Sequence, residues 1–149
     1  MEVVVRYFKL NPEVPGGFGR GTILDRTTHP PKVSNLHYVF DGWLGDDLLT
    51  TFPVYLVSER LRESLDTLCP SGCEWSTFKM TKSATFMELH FERQLPHFWW
   101  LRIVGRAGVD DFGMSADHSL VVSERVLDCM KRFSLKHCDI AEYSVSELR

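Results

Sequence analysis

Apolar and polar positions alternate from the start of the chain: Val3, Val5, Tyr7 and Lys9 fall on one side of a strand predicted over Val3 to Leu10. Thr22 to Asp25 and Leu36 to Phe40 read as further strands, separated by the glycine-rich connection Pro15 to Gly21 and the proline-containing loop Arg26 to Lys32. Phe52 to Val57 is a strand that runs into a helix from Glu59 to about Leu68, where Leu61, Leu65 and Leu68 form one narrow apolar stripe. Pro70 and Gly72 end it. Trp75 to Met80 and Thr85 to Phe91 then alternate as two strands around a turn at Thr81 to Ala84, the second with Met87, Leu89 and Phe91 on its apolar face. Phe98 to Val104 is the most hydrophobic strand and is predicted to be central. Leu120 to Val122 leads into a second helix with Val126, Met130 and Phe133 on one face, and His137 to Val145 closes the chain as a strand, with the last four residues fraying.

Two of these stretches share a register. Leu56-Val57-Ser58-Glu59-Arg60-Leu61 returns sixty-five positions later as Val121-Val122-Ser123-Glu124-Arg125-Val126, and Cys73-Glu74-Trp75 keeps step with Cys138-Asp139-Ile140. In each copy the Ser is placed to cap a helix N-terminus, and the following Glu suits the positive end of the helix dipole. The pattern predicts a single α+β domain over residues 1–149, with a mixed sheet and two strand–helix–strand units related by a weak internal repeat. If each helix is a crossover, its flanking strands run parallel.

At 149 residues the chain is long enough for one real core. A net charge of −3 argues against nucleic acid as the main partner, because phosphate binding needs a concentrated basic face. No stretch reaches eighteen apolar residues, and the N-terminus has no basic and apolar leader pattern, so a cytoplasmic protein without membrane contact is expected.

Candidate chemistry is sparse. The cysteines Cys69, Cys73, Cys129 and Cys138 do not form a disulfide framework; Cys69 and Cys73 are spaced one residue wider than the usual zinc knuckle, which leaves free thiols as the main reading beside a zinc site. Six scattered histidines show no ligand spacing, and the glycines of Pro15 to Gly21 fit neither dinucleotide nor phosphate-loop patterns. Ser58 and Ser123 are explained by capping rather than nucleophilic chemistry, and a Cys73–His90 pair stays open as an alternative. No catalytic residue, metal ligand or cofactor is expected. Asp46-Asp47 and Asp110-Asp111 are the informative acids, each in a loop with a large apolar residue, Trp43 or Phe112. They are expected to face water and, around those aromatics, to suit a surface that docks a basic protein. Trp43 and Phe112 read equally as core plugs.

Gly42-Trp43-Leu44-Gly45-Asp46-Asp47-Leu48-Leu49, Phe52-Pro53 before Val57-Ser58-Glu59-Arg60, Leu95-Pro96 before Trp99-Trp100-Leu101, Asp110-Asp111-Phe112 and Val122-Ser123-Glu124-Arg125 together resemble small bacterial immunity proteins of polymorphic-toxin systems. The resemblance spans about residues 38 to 145 and implies stoichiometric, non-catalytic binding of a cognate toxin domain during bacterial competition. The partner-binding candidates are then Trp43, Asp46, Asp47, Asp110, Asp111 and Phe112. The alternative is a small metal- or ligand-dependent enzyme or ligand-binding domain with its site between the Trp43 and Phe112 loops. A third reading, a homo-oligomeric structural subunit, predicts an exposed apolar face.

Overall fold

The computed structural model describes residues 5–144. The expected contributions of Val3 to the first strand and of Val145 to the last lie outside them. Within them the chain is α+β, and the single mixed sheet of the sequence reading is replaced by several smaller ones. Two are four-stranded and wholly antiparallel. In the first, β6 (Leu48–Thr51), β7 (Val54–Ser58), β10 (Phe98–Ile103) and β8 (Cys73–Ser76) lie in that order. In the second the order is β11 (Phe112–Met114), β12 (Leu120–Ser123), β1 (Tyr7–Asn11) and β13 (Asp139–Tyr143).

The helices α1 (Glu59–Asp66) and α3 (Glu124–Lys131) join β7 to β8 and β12 to β13. In each case the flanking strands run parallel, as a crossover requires, but they are not neighbours. A third strand sits between them: β10 in one sheet, β1 in the other. Phe98 to Ile103 is therefore central, as its hydrophobicity predicts, and so is the opening strand, whose Leu10 is wholly buried between Leu120 and Ile140.

Both helices turn their apolar stripes into one core. Leu61 and Leu65 of α1 meet Val126, Leu127, Cys129 and Met130 of α3, with Leu48, Val57, Leu101, Phe112 and Val122 from the two sheets. The helices pack on each other closely enough for Ser64 Oγ to lie 3.2 Å from Cys129 Sγ.

A smaller subassembly covers the other side. β5 (His37–Phe40) pairs antiparallel with β2 (Gly16–Phe18) and parallel with β9 (Lys79–Lys82), while β3 (Ile23–Asp25) and β4 (Lys32–Ser34) form a separate hairpin. The glycine-rich connection thus contains a strand. Its glycine is sterically required, since a Cβ at Gly16 would lie 1.9 Å from the Val39 carbonyl oxygen. Tyr38, Phe40, Phe86 and Phe98 fill a second core beneath this layer.

One predicted strand is a helix. Thr85 to Phe91 contributes to α2 (Ala84–Leu89), with Ser83 as N-cap accepting from the Phe86 N–H at 3.1 Å. Phe86 is the buried anchor, and the presumed inward face of Met87, Leu89 and Phe91 points to solvent. A six-residue window matches both periods; the capping serine decides between them.

Candidate functional site

Of the paired acids, the first pair departs most from expectation. Asp46 and Asp47 are buried, not displayed to water. A buried carboxylate must be paired or hydrogen-bonded, and Asp47 is both. It accepts from Ser58 Oγ at 2.5 Å, from Arg60 Nε and Nη2 at 2.8 and 2.7 Å, and from the Ser134 N–H at 2.8 Å. Burial pushes its pKa up, but the Arg60 and Ser58 hydrogen bonds outweigh that and leave it lowered.

Asp111 is bound by the same chemistry. Ser123 Oγ donates to it at 2.7 Å, Arg125 Nε and Nη2 at 2.9 and 2.7 Å, and the Ser71 N–H at 3.0 Å. The Arg125 guanidinium holds its carboxyl well below the usual carboxylate range. The Ser-Glu-Arg tripeptide thus supplies two parts in each unit, a hydroxyl before the helix and a bidentate fork two residues later. Ser58 also caps α1 through the Leu61 N–H, whereas Ser123 makes no side-chain cap bond and gives its hydroxyl to Asp111 alone. Each aspartate reaches across to the turn that follows the other helix: Asp47 to Ser134 after α3, Asp111 to Ser71 after α1.

Asp46 is pinned separately. Its carboxylate accepts from Ser134 Oγ at 3.1 Å, from the Lys136 and His137 N–H groups at 3.2 and 2.7 Å, and lies 3.2 Å from His137 Nδ1. Its counterpart Asp110 accepts the local Arg106 N–H, at 2.8 Å. Phe112 is fully enclosed in the core, the plug reading of that residue. Trp43 is half-buried, edge-on to Phe98, with its indole N–H donated to the Asp46 carbonyl at 2.8 Å. With their carboxylates turned away from water and bonded inside the fold, Asp46, Asp47 and Asp111 offer little to a docking partner, and the structure corrects the picture of a water-facing acidic rim.

The cysteines are free. Burial pushes the thiols of Cys73 and Cys138 up to about 11, which keeps them protonated and poorly nucleophilic. His90 and His97 each pack against an aromatic ring, Phe86 and Trp99.

The structure adds two groupings that spacing does not reveal. Glu13, Asp46 and His137 converge from three distant segments, with ligand-capable atoms all within 4.8 Å of one another. Beside them, the segment after α2 closes on the Trp43 loop: the Arg93 guanidinium lies 5.2 Å from the Trp43 ring centre, and the His90 ring packs near Gly42. Around that junction Leu44, Met87, Leu89 and Phe91 are each more than half exposed. A groove of about 610 Å3, lined by Lys32, Val33, Pro53, Trp100 and Arg102 among others, runs between the β3–β4 hairpin and β10; neither Trp43 nor Phe112 lines it.

No protein-family model matches the chain, and no curated protein matches it either.

Proposed function

We propose that this protein is an immunity protein, a non-catalytic module that neutralises a toxin domain by stoichiometric contact, as the motif resemblance implies. The observation that carries the reading is the exposed apolar surface of Leu44, Met87, Leu89 and Phe91 on two adjoining segments, the Trp43 loop and α2 with the turn after it. Met87 and Leu89 on α2 and Phe91 just after it are large apolar side chains left in water, and exposed apolar surfaces with a polar rim, here His90, Glu92 and Arg93, mark protein contacts. The proposed interface is thus centred on apolar anchors beside Trp43, not on the paired acids.

The same reading takes the two Asp–Ser–Arg units as copies of one strand–helix–strand module. The contact surface lies outside both copies, on the Trp43 loop before β6 and on α2 with the turn after it, between β9 and β10.

Capture of partners on the immobilised protein from a native lysate, with identification by mass spectrometry, tests the proposal. A single stoichiometric partner carrying a toxin domain is the expected result. Leu89→Asp with Phe91→Asp should then weaken that complex at least tenfold while leaving the melting temperature nearly unchanged, because both side chains already face solvent. Unchanged affinity would remove this surface from the interface. The metal- or ligand-dependent alternative is favoured by the Glu13–Asp46–His137 grouping alone.

A further inference from the structure

Three chain segments meet beneath the Trp43 loop. Glu13 follows β1 and is held against β6, where its carbonyl accepts the Thr50 N–H at 2.9 Å; Asp46 stands two residues before β6; His137 lies in the turn before β13. Glu13 Oε1 accepts the Leu44 N–H at 3.2 Å. Its other oxygen, Oε2, is shut off from solvent and has no hydrogen-bond partner among the described residues. Leaving such an oxygen bare is costly, so a positively charged or donating group is expected to face it.

The neighbouring atoms indicate which kind. Asp46 is wholly buried, and its Oδ1 lies 3.2 Å from His137 Nδ1. Two ligands on one tetrahedral Zn2+, at bonds of about 2.0–2.1 Å, are separated by about 3.3 Å. The Asp46 carboxylate is oriented by the His137 N–H, which Oδ2 accepts at 2.7 Å, while the Ser134 hydroxyl and the Lys136 N–H lie at the longer 3.1 and 3.2 Å from Oδ1 itself. An imidazole with two carboxylates suits a divalent transition metal better than magnesium or calcium, which prefer all-oxygen shells.

We propose that Glu13 Oε2, Asp46 Oδ1 and His137 Nδ1 form a binding site for one divalent transition-metal ion of the zinc class. The imidazole binds as the neutral tautomer with its proton on Nε2. The His137 side chain is 40% exposed, so a fourth position opens to solvent on that side. The ion staples the segment after β1, the Trp43 loop and the segment before β13. Among the described residues no comparable grouping includes Asp110, the matching acid of the second unit, so the site belongs to the first. The inference stands apart from partner binding, since it predicts metal affinity in the isolated chain.

The test uses the purified full chain, stripped with a chelator and desalted, then titrated with Co2+ followed spectroscopically and with Zn2+ followed by calorimetry and thermal melting. Expected are one equivalent bound, a visible Co2+ spectrum without strong thiolate charge transfer, and a melting temperature raised by several degrees at metal excess. His137→Gln and Glu13→Gln should each abolish all three signals while keeping the far-UV spectrum of the parent. Absence of binding in the parent chain overturns the proposal. Binding that persists in both variants, or that carries thiolate charge transfer, overturns it equally, by placing the metal on other ligands.

Discussion

Asp47 and Asp111 receive the same set of donors but differ in enclosure, and that difference sets what their loss should cost. The Asp47 side chain is 2% exposed and that of Asp111 12%. In Asp47→Ala the Ser58 hydroxyl and the Ser134 N–H lose their acceptor in a buried setting, and destabilisation of about 3 kcal/mol is expected in urea unfolding. Asp111→Ala should cost less, about 1–2 kcal/mol, because its carboxylate is less enclosed and water can reach the donors it leaves behind. Both carboxyls are lowered in the folded state relative to the unfolded chain. The folded protein therefore binds fewer protons there, and the stabilisation is present in full above about pH 5 and lost as pH falls through and below the ordinary carboxylate range. Glu13 opposes them: burial raises its pKa, so its ionisation works against the fold as pH rises. An acid titration of stability in which Asp47→Ala and the parent converge at low pH would check the assignment. The serine and arginine of each unit are plain in the sequence as Val-Ser-Glu-Arg, and the aspartates as adjacent pairs. Their union is not, because eleven residues separate acid from serine in one unit and twelve in the other. Loops of unequal length hide a shared hydrogen-bond set from any fixed-spacing search.

At the scale of elements, the long periodic stretches were legible and the short ones were not. Leu61 and Leu65, or Val126 and Met130, recur at four-residue steps over a full eight-residue helix, and both helices lie where that period places them. α2 has six residues and one buried apolar anchor, Phe86, so nothing in its hydrophobicity distinguishes helix from strand. The local chemistry of Ser83 does. Ser83→Ala should cost about 1 kcal/mol and speed amide exchange at Phe86, whose N–H the hydroxyl accepts. Exchange unchanged at Phe86 would show that tertiary contacts alone hold α2. Buried polar residues were equally hard to foresee, since two adjacent acids after Gly-Trp-Leu-Gly look like a solvated turn until the Arg60 and Ser134 donors are in place.

Across the whole molecule, the crossovers explain why β1 matters more than its position at the edge of the sequence suggests. It lies between β12 and β13 and completes a sheet whose other members begin a hundred residues later. Leu10→Ala should therefore destabilise by about 2–5 kcal/mol, and hydrogen exchange should accelerate together in β12 and β13. Acceleration confined to one neighbour would mean that the sheet does not open as a unit. The pairing of β1 with β13 has a mechanical consequence. Tyr7 faces Tyr143 across antiparallel neighbours, so the outer ends of both strands leave the sheet at the same point. Tension applied through those two ends loads the ladder one rung at a time from Tyr7 toward Asn11, as a zipper rather than in shear. A protein tethered by both ends would yield there at low force, while one tethered through β7 and β10 from opposite ends would resist with all their rungs at once.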